Sequence, residues 1–206
     1  MFLLVGLGNP GSGYSNNRHN IGFKVLENIE KLYNPPKFTK KFKSEYTKLL
    51  FNENVFFLLK PMTYMNNSGI AVKEIKEFYN IDIRNIYVIH DEIDLDCGQI
   101  KIKNGGGHNG HNGLRSIDQS IGKGYNRIKV GVSRPSKLYE KNINENISSW
   151  VLSDFTSEDS VKWLDNTIDK ISKDKSYIID NINKLVTFNL NNNALINAIK
   201  EKLSDE

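Results

Sequence analysis

Short apolar segments alternate along this chain with segments whose apolar residues recur at helical spacing, and this alternation constrains the fold more than any other feature. Residues 2–7 form a continuous apolar run with the length of a buried strand. From about residue 20 to residue 33, apolar side chains recur on one face of a predicted helix. Strands alternating with helices are typical of a sheet covered on both faces. We therefore predict an α/β fold, a mixed β-sheet covered by helices on both faces.

The later segments continue the alternation and add one hairpin. Further strands are predicted at residues 44–50, 55–60, 85–90, 100–103 and 127–133, and further helices at 68–79 and 112–121. Asn67 or Ser68 is the expected N-cap of the first of these helices, and Thr156 precedes a helical tail over 157–203. The polar stretch 136–149 is either a mobile flap or a surface loop. We expect a single domain over residues 1–206, with the tail beginning at about residue 151.

Composition excludes several classes of protein. Hydrophobic residues make up 38% and charged residues 25%, a balance typical of folded rather than disordered chains. No apolar stretch reaches the length of a bilayer span, and no basic segment precedes the first apolar run, so we expect a strand there rather than a signal peptide. The single cysteine, Cys97, excludes an intramolecular disulfide and a cysteine-rich zinc site, and it fits a reducing cytoplasm.

The segment from Gly6 to Gly11 matches the glycine pattern of dinucleotide-binding proteins, but its surroundings do not. That pattern requires a helix to begin at once, so that its N-terminus meets a pyrophosphate. Here residues 12–17 have turn composition, and the acid expected about 20 residues further on would lie inside a predicted helix. We therefore expect a strand-to-loop turn that presents Asn9 at the carboxyl edge of the sheet, where α/β proteins bind ligands.

Three other loops between predicted elements carry side chains suited to chemistry. One follows the predicted strand that Asp91 closes, one (residues 61–69) is rich in asparagine, and one (residues 103–113) is rich in glycine, while His19 lies where the loop of Asn9 enters the first helix. A single histidine is more often a surface or capping residue, but four such loops together favour a site. Because no nucleophile elbow is present and Cys97 has no activating neighbours, a histidine acting on water is more natural than a covalent intermediate.

Several side chains in the same region are of the types that bind metals. His108 and His111, with His90 and Asp91, have side chains that can bind a metal. A flexible glycine loop is a poor frame for two ligands, and their spacing differs from the i, i+4 spacing of a helical pair. We therefore expect neither a metal nor a cofactor.

Basic residues recur with the alternation of a strand face. Lys101 and Lys103 share one side of a predicted strand, and Arg127 and Lys129 share one side of another. A solvated strand face explains any one pair, but several pairs beside a glycine loop favour a phosphate-binding patch. The net charge of +4 is too mild to decide between the two.

At these positions the sequence closely resembles the bacterial-type peptidyl-tRNA hydrolase family. The matching segments are residues 5–11, 18–22, 60–69, 90–94 and 105–113, in the family's order. Five separate matches over more than half of the chain make the resemblance specific, although it fades after about residue 133.

The resemblance implies hydrolysis of the ester that links a peptide to the 3′ ribose of tRNA. It implies a catalytic His19 with Asp91 as its partner acid, and a monomer without an obligate protein partner, membrane association or cofactor. The candidate substrate-binding residues are Asn9, Tyr14, Tyr64, Asn66 and Asn112. The candidate tRNA-binding residues are Lys101, Lys103, Arg127 and Lys129. Two departures from the family pattern are Lys129, where arginine is expected, and Asn109, where glycine is usual.

Three alternatives remain open from the sequence. An RNA-binding protein without activity would use the same basic strands and release no peptide. A dinucleotide-dependent oxidoreductase would bind a nicotinamide cofactor. A metal-dependent hydrolase would lose its activity to a chelator.

Overall fold

β1 (Phe2–Gly6) is the central strand of a seven-stranded sheet, and all five of its residues are buried. The computed structural model describes residues 1–51, 54–135 and 146–173. The other strands are β2 (Thr39–Lys41), β3 (Ser44–Phe51), β4 (Asn54–Pro61), β5 (Ile86–Glu92), β6 (Ile100–Asn104) and β7 (Asn126–Gly131). The order across the sheet is β2-β3-β4-β1-β5-β7-β6.

The four inner strands are parallel and the outer ones are not. β4, β1, β5 and β7 run parallel, whereas β2, β3 and β6 are antiparallel to their neighbours. The carboxyl ends of the parallel strands therefore meet at one edge, the edge at which ligands bind in sheets of this class. The predicted fold class, a mixed sheet covered on both faces, is confirmed.

Helices bury both faces of the sheet. The helices are α1 (Ile21–Tyr33), α2 (Ser68–Phe78), α3 (Asn112–Ile121), α4 (Ile147–Val151), α5 (Ser157–Asp159) and α6 (Asp165–Lys173), with a π-helical turn (Ser160–Leu164) before α6. One apolar core contains α1 residues with Leu164 and Ile171 on one face of the sheet, and the other contains Val72, Ile75, Leu114 and Ile117 from α2 and α3. Alternate residues of each inner strand supply the two cores, as a sheet buried on both sides requires.

Two glycines set the entrance of α1 close to the central strand. A Cβ atom on Gly6 would lie 2.3 Å from the backbone oxygen of Gly22, and one on Gly22 would lie 2.3 Å from the backbone nitrogen of Leu7. Neither position tolerates a side chain, so the backbones touch here. This contact fixes the turn that precedes α1, which carries His19, against the end of β1.

Most predicted elements lie within two residues of their predicted bounds. The extended run at residues 127–133 ends as a strand at Gly131, and Asn67 is the N-cap of α2 without a side-chain hydrogen bond. Thr156 caps α5 through a reciprocal capping box with Asp159. β2 and α4 were not predicted; the stretch expected as flap or loop over 136–149 includes the first residues of α4. The rest of that stretch and most of the predicted tail lie outside the described residues, so a single domain extending to residue 206 stays a prediction.

The glycine-rich loop begins at the edge of the sheet opposite to the one that carries His19 and Asp91. Because β6 is antiparallel to β7, its last residue, Asn104, pairs with Asn126 at the beginning of β7. The loop over residues 105–111 therefore starts at the opposite edge of the sheet and must cross it to reach α3.

Among the residues described here, no helix is long and apolar enough to cross a membrane.

Candidate active site

His19 and Asp91 form a buried hydrogen-bonded pair at the carboxyl edge of the sheet. His19 lies in a 3₁₀ turn (Arg18–Asn20) directly before α1, and Asp91 lies near the end of β5. The Nδ1 atom of His19 is 2.7 Å from Oδ1 of Asp91, and the two residues are 8% and 3% exposed. The opposite ring nitrogen of His19, Nε2, is thereby left for another partner.

A second imidazole shares the same carboxylate oxygen. His111 Nε2 lies 3.1 Å from Asp91 Oδ1, and the rings of His111 and His19 have centroids 4.8 Å apart. His111 is also the N-cap of α3, where its Nδ1 accepts the backbone N–H of Leu114 at 3.4 Å. A nitrogen that accepts carries no proton in the neutral ring, so the proton of His111 is assigned to Nε2, which donates to Asp91.

This arrangement keeps Asp91 ionised and favours a proton on His19. Burial alone would raise the pKa of Asp91, but the two imidazoles, through charge and hydrogen bonds, hold it well below its usual value. Burial lowers the pKa of His19, but the charge and hydrogen bond of Asp91 outweigh burial, so the pKa of His19 is raised above its ordinary value. The pair can therefore stabilise an imidazolium.

His90 behaves differently from its two neighbours. Burial, with the charge of His111 as a smaller cause, lowers the pKa of His90 to about 3. Its Nδ1–H donates to the backbone oxygen of Asp91 at 2.7 Å, and its Nε2 has no partner among the residues that the structure describes. His90 is therefore a neutral ring beneath the site and supports the backbone at Asp91.

Asn9 is held by its backbone and by its side-chain oxygen. Asn20 makes two reciprocal bonds with the Asn9 backbone, accepting its N–H and donating to its carbonyl, both at 2.9 Å. The Oδ1 atom of Asn9 accepts the backbone N–H of Met65 at 2.8 Å. Since the Oδ1 atom already accepts a hydrogen bond, the amide NH₂ group (Nδ2) is the part of the Asn9 side chain that is available to a ligand.

Two cavities meet at His19. One of about 300 Å³ is lined by Asn9, Tyr14, His19, Tyr64, Asn66 and Asn112, and thus contains every candidate substrate-binding residue. The other, of about 390 Å³, is lined by Asp91, His90, the glycine-rich loop and Arg134. His19, Asn112, Ser148 and Val151 line both, so the imidazole and one carboxamide stand between the two spaces.

The tyrosines form an exposed rim on the first cavity. Tyr14 and Tyr64 are 37% and 56% exposed, and their rings meet edge to face at 6.3 Å. Tyr64 has φ 58° and ψ 161°, a backbone region that is almost restricted to glycine. Strain of this kind persists only where the surroundings impose it, and here it directs the loop that places Met65 against Asn9.

Arg18 ties the His19 turn to the segment around α4. Its guanidinium stacks on the ring of Trp150 at 3.8 Å and donates to Ser153 Oγ at 2.8 Å, to the Asp154 carbonyl and to the Asp159 carboxylate. The side chain is 4% exposed, so these contacts are screened little by water. The same segment supplies Ser148 and Val151 to both cavities.

The four candidate tRNA-binding residues differ in their accessibility. Lys101 and Lys103 are exposed, whereas the Nζ atom of Lys129 is 2.6 Å from a carboxylate oxygen of Glu92. Arg127 is only 1% exposed and donates to backbone oxygens of the glycine-rich loop and to Asp118. Its assignment as a phosphate ligand is therefore corrected, because its guanidinium bonds to the protein and is not accessible to a phosphate. The four candidate side chains do not share one exposed surface.

The side chains best placed to hold a metal differ from the set that the sequence suggested, which was His90, Asp91, His108 and His111. Within the described residues, His19, Asp91 and His111 offer ligand atoms that all lie within 4.8 Å of one another. His108 instead accepts the backbone N–H of Gly110 within its own loop, and His90 donates to backbone. The three clustered residues are already engaged in hydrogen bonds with one another.

Asn20, Arg18 and His111 have roles in this geometry that the sequence analysis did not assign. Asn20 and Arg18 flank His19 in the sequence, so their position beside the candidate base was a usable signal. His111 was considered only as a metal ligand. Its contact with Asp91 depends on the path of the glycine-rich loop across the sheet, which the sequence pattern did not reveal.

Comparisons with known proteins agree on one family. The family model described as "Peptidyl-tRNA hydrolase" matches residues 3–197. A peptidyl-tRNA hydrolase of Rickettsia bellii (strain RML369-C) is 44% identical over 182 residues, covering 88% of this chain and 95% of that one. One of Aliarcobacter butzleri (strain RM4018) is 43% identical over 190 residues, covering 91% and 99%. The crystal structure of the Acinetobacter baumannii peptidyl-tRNA hydrolase superposes with a TM-score of 0.78 at 36% identity, covering 89% of this chain and 91% of that one.

Proposed function

The chain belongs to the peptidyl-tRNA hydrolase family, and from that premise we propose that it hydrolyses the ester between peptide and tRNA with His19 as general base. The enzyme is accordingly a carboxylic ester hydrolase of translation. The observation that carries the residue assignment is the buried pair of His19 Nδ1 and Asp91 Oδ1, 2.7 Å apart, at the meeting point of two cavities. Two cavities suit a substrate with different groups on the two sides of the ester.

In the proposed mechanism, His19 Nε2 takes a proton from a water molecule as that water attacks the ester carbonyl. Asp91 holds Nδ1–H, fixes the tautomer and stabilises the imidazolium that forms. The proton then passes to the 3′ oxygen of the departing ribose, so the imidazole ends neutral and the products are tRNA and a free peptide acid, which loses its own proton to solvent. A positioned base of this kind contributes about 10²–10⁴-fold.

The negative charge that develops on the carbonyl oxygen needs a hydrogen-bond donor. The Nδ2 amine of Asn9 suits this role, because its carboxamide is already fixed through Oδ1 by the Met65 N–H. The carboxamide of Asn112 is a second donor, since it lines both cavities beside His19. One such donor contributes about 3 kcal/mol to the stability of the transition state.

Asn66 and Asn112 also account for selectivity toward peptides, because a carboxamide both donates and accepts. Their contacts to an amide backbone do not depend on the peptide's side chains. A free α-ammonium group would place a charge where an amide is expected and leave a polar group unpaired, so aminoacyl-tRNA would be spared. Tyr14 and Tyr64 complete this side of the site as an aromatic rim.

We propose that Lys101 and Lys103 bind phosphates near the acceptor end of the tRNA. Both are exposed on β6, and Lys103 lies beside Gly106 of the glycine-rich loop. Lys129 contributes less, since it is paired with Glu92. We further propose that the enzyme acts as a monomer in the cytoplasm, without a protein partner or a cofactor.

The test is peptide release from an N-acetylated aminoacyl-tRNA in the presence of EDTA. The proposal predicts release of the acetylated amino acid and free tRNA at a rate that EDTA does not change. Loss of activity in EDTA that zinc restores would indicate metal-dependent hydrolysis instead. Binding of tRNA without any release would identify an RNA-binding protein that lacks the activity.

A further inference from the structure

The glycine-rich loop leads to two of the site's side chains, His111 and Asn112, although its composition favours flexibility. Four of its seven residues (105–111) are glycines, and it runs from the end of β6 to α3 across the sheet. It delivers His111 to Asp91 and places Asn112, the first residue of α3, beside His19. Glycine is flexible, so a loop of this composition does not hold one path without contacts from outside.

Arg127 supplies such contacts from β7. Its Nη1 donates to the carbonyl of Gly107, and its Nη2 donates to the carbonyl of Gly106 at 2.8 Å. Gly106 has φ 105°, a conformation that other residues rarely adopt. One planar guanidinium thus fixes the backbone carbonyls of two consecutive glycines in the loop.

The charge of Arg127 is balanced from α3. Asp118 Oδ1 accepts from Arg127 Nη2 at 3.0 Å and from the Tyr125 hydroxyl at 2.7 Å, and the Arg127 and Asp118 side chains are 1% and 5% exposed. Burial raises the pKa of Tyr125, with the Asp118 hydrogen bond as a further cause, so its hydroxyl stays a donor. A buried arginine with a buried carboxylate joins the loop, β7 and α3 into one unit.

We propose that Arg127 is a positioning residue for the hydrolysis, holding the glycine-rich loop against the sheet so that His111 and Asn112 reach the reacting centre. Lys103 also lies close to this loop, but unlike Arg127 it is exposed to solvent. Its Nζ is 3.3 Å from where a Cβ atom of Gly106 would be. A phosphate can reach Lys103 but meets no free face of Arg127. The inference rests on the proposed function, because it assigns a role in that reaction.

Arg127→Lys is the decisive variant, since it keeps the charge but cannot bind two carbonyls and a carboxylate in one plane. Three quantities are to be measured: the salt dependence of binding to deacylated tRNA, kcat with an N-acetylated aminoacyl-tRNA, and hydrogen–deuterium exchange of residues 105–113. We expect an unchanged salt dependence, faster exchange in the loop, and a fall in kcat of roughly 10- to 10²-fold, as for a displacement of about 1 Å. KM should change much less than kcat.

Two controls separate this role from a phosphate contact. Lys101→Gln should reduce the slope of log K against log salt by about 0.7 to 0.9, the values for one lost phosphate contact on single-stranded nucleic acid and on duplex DNA. Arg84→Lys changes an arginine that is 61% exposed and lies outside the site, and should alter none of the three quantities. If Arg127→Lys leaves both loop exchange and kcat at their wild-type values, the proposal is overturned.

Asp118→Asn provides a second variant in case Arg127→Lys does not fold. It leaves Arg127 in place but removes its charge partner, so faster loop exchange and a smaller fall in kcat are expected. Wild-type exchange and wild-type kcat in a folded Asp118→Asn protein would contradict the proposal. Binding and exchange need no turnover, so failure of the wild type to release peptide would count against the proposed function alone.

Discussion

The Nδ1 atom of His19 lies 2.7 Å from the Oδ1 atom of Asp91, although 72 residues separate them in the chain. The parallel pairing of β1 and β5 brings them together, because the turn after β1 and the end of β5 then meet at the same edge. Both groups are buried, so their interaction is screened little by water. The pH and mutational behaviour of the protein should reflect this contact.

The rate of hydrolysis should depend on pH through the protonation of His19. His19 acts as a base only when neutral, and Asp91 raises its pKa above 6.5. We therefore expect kcat/KM to rise with pH through an apparent pKa above 6.5 and then to level off. In Asp91→Asn the charge is lost, so the residual activity should titrate at a lower pH. Rate profiles of both proteins between about pH 5 and 9 test this, and a higher apparent pKa in Asp91→Asn would contradict it.

Stability should depend on pH in a related way. A raised histidine pKa stabilises the folded state below pH 6.5 and loses this effect as pH rises through the folded pKa. The lowered pKa of Asp91 stabilises above about its ordinary value of 3.8 and loses its effect at lower pH. The difference in free energy of unfolding between wild type and His19→Ala should therefore be largest between these limits. Urea denaturation at several pH values measures it; a difference that grows above pH 8 would refute this assignment.

His111 allows a more specific test of the shared carboxylate oxygen. Removing its Nε2–H leaves Asp91 to interact with His19 alone, so His111→Ala should raise the pKa of His19 further and move the rate profile to higher pH. His111→Gln can still donate a hydrogen bond to Asp91, so it should bring the pKa of His19 partly back toward the wild-type value. His108→Ala is the matched control, since His108 bonds within its own loop. The ring signals of His19 in an NMR titration report the shift directly, and an unchanged His19 pKa in His111→Ala would exclude this role.

A substitution of Asn9 can distinguish the role of its side-chain oxygen from that of its side-chain nitrogen. Asn9→Asp keeps an oxygen to accept the Met65 N–H but removes the Nδ2 donor. If that donor stabilises the oxyanion, kcat should fall by about 10²–10³-fold while KM changes little. Single-turnover rates separate the chemical step from binding. A rate within a few-fold of the wild type would assign the oxyanion contact to another group.

Several features of the fold and the site were predictable from the sequence because they depend on local patterns. The bounds of α3 at Asn112–Ile121 follow from apolar periodicity, and the absence of a dinucleotide motif follows from the turn residues after Gly11. The short turn at Ser12–Tyr14, with α1 beginning only at Ile21, matches that expectation. The candidate residues around the first cavity came from the family resemblance rather than from periodicity.

Other features were not predictable because they depend on the pairing of distant segments. The direction of β6 decides that the glycine-rich loop crosses the sheet, and hence that His111 meets Asp91. Alternation placed Arg127 and Lys129 on one strand face, but it did not reveal that α3 and the loop cover Arg127. β2 has three exposed residues and no apolar pattern, so nothing in its sequence indicated a strand. Asn109, which departs from the family's glycine, adopts φ 46°, a conformation that asparagine tolerates better than most residues.

The single-turnover rate of peptide release by His19→Ala, at pH 8 with saturating enzyme, tests directly whether His19 is the general base. We expect a rate about 10²–10⁴-fold below that of the wild type. Affinity for deacylated tRNA should be retained, because the lysines proposed to bind it are unchanged. A rate within a few-fold of the wild type, with the protein folded, would contradict the account and assign the base to another residue.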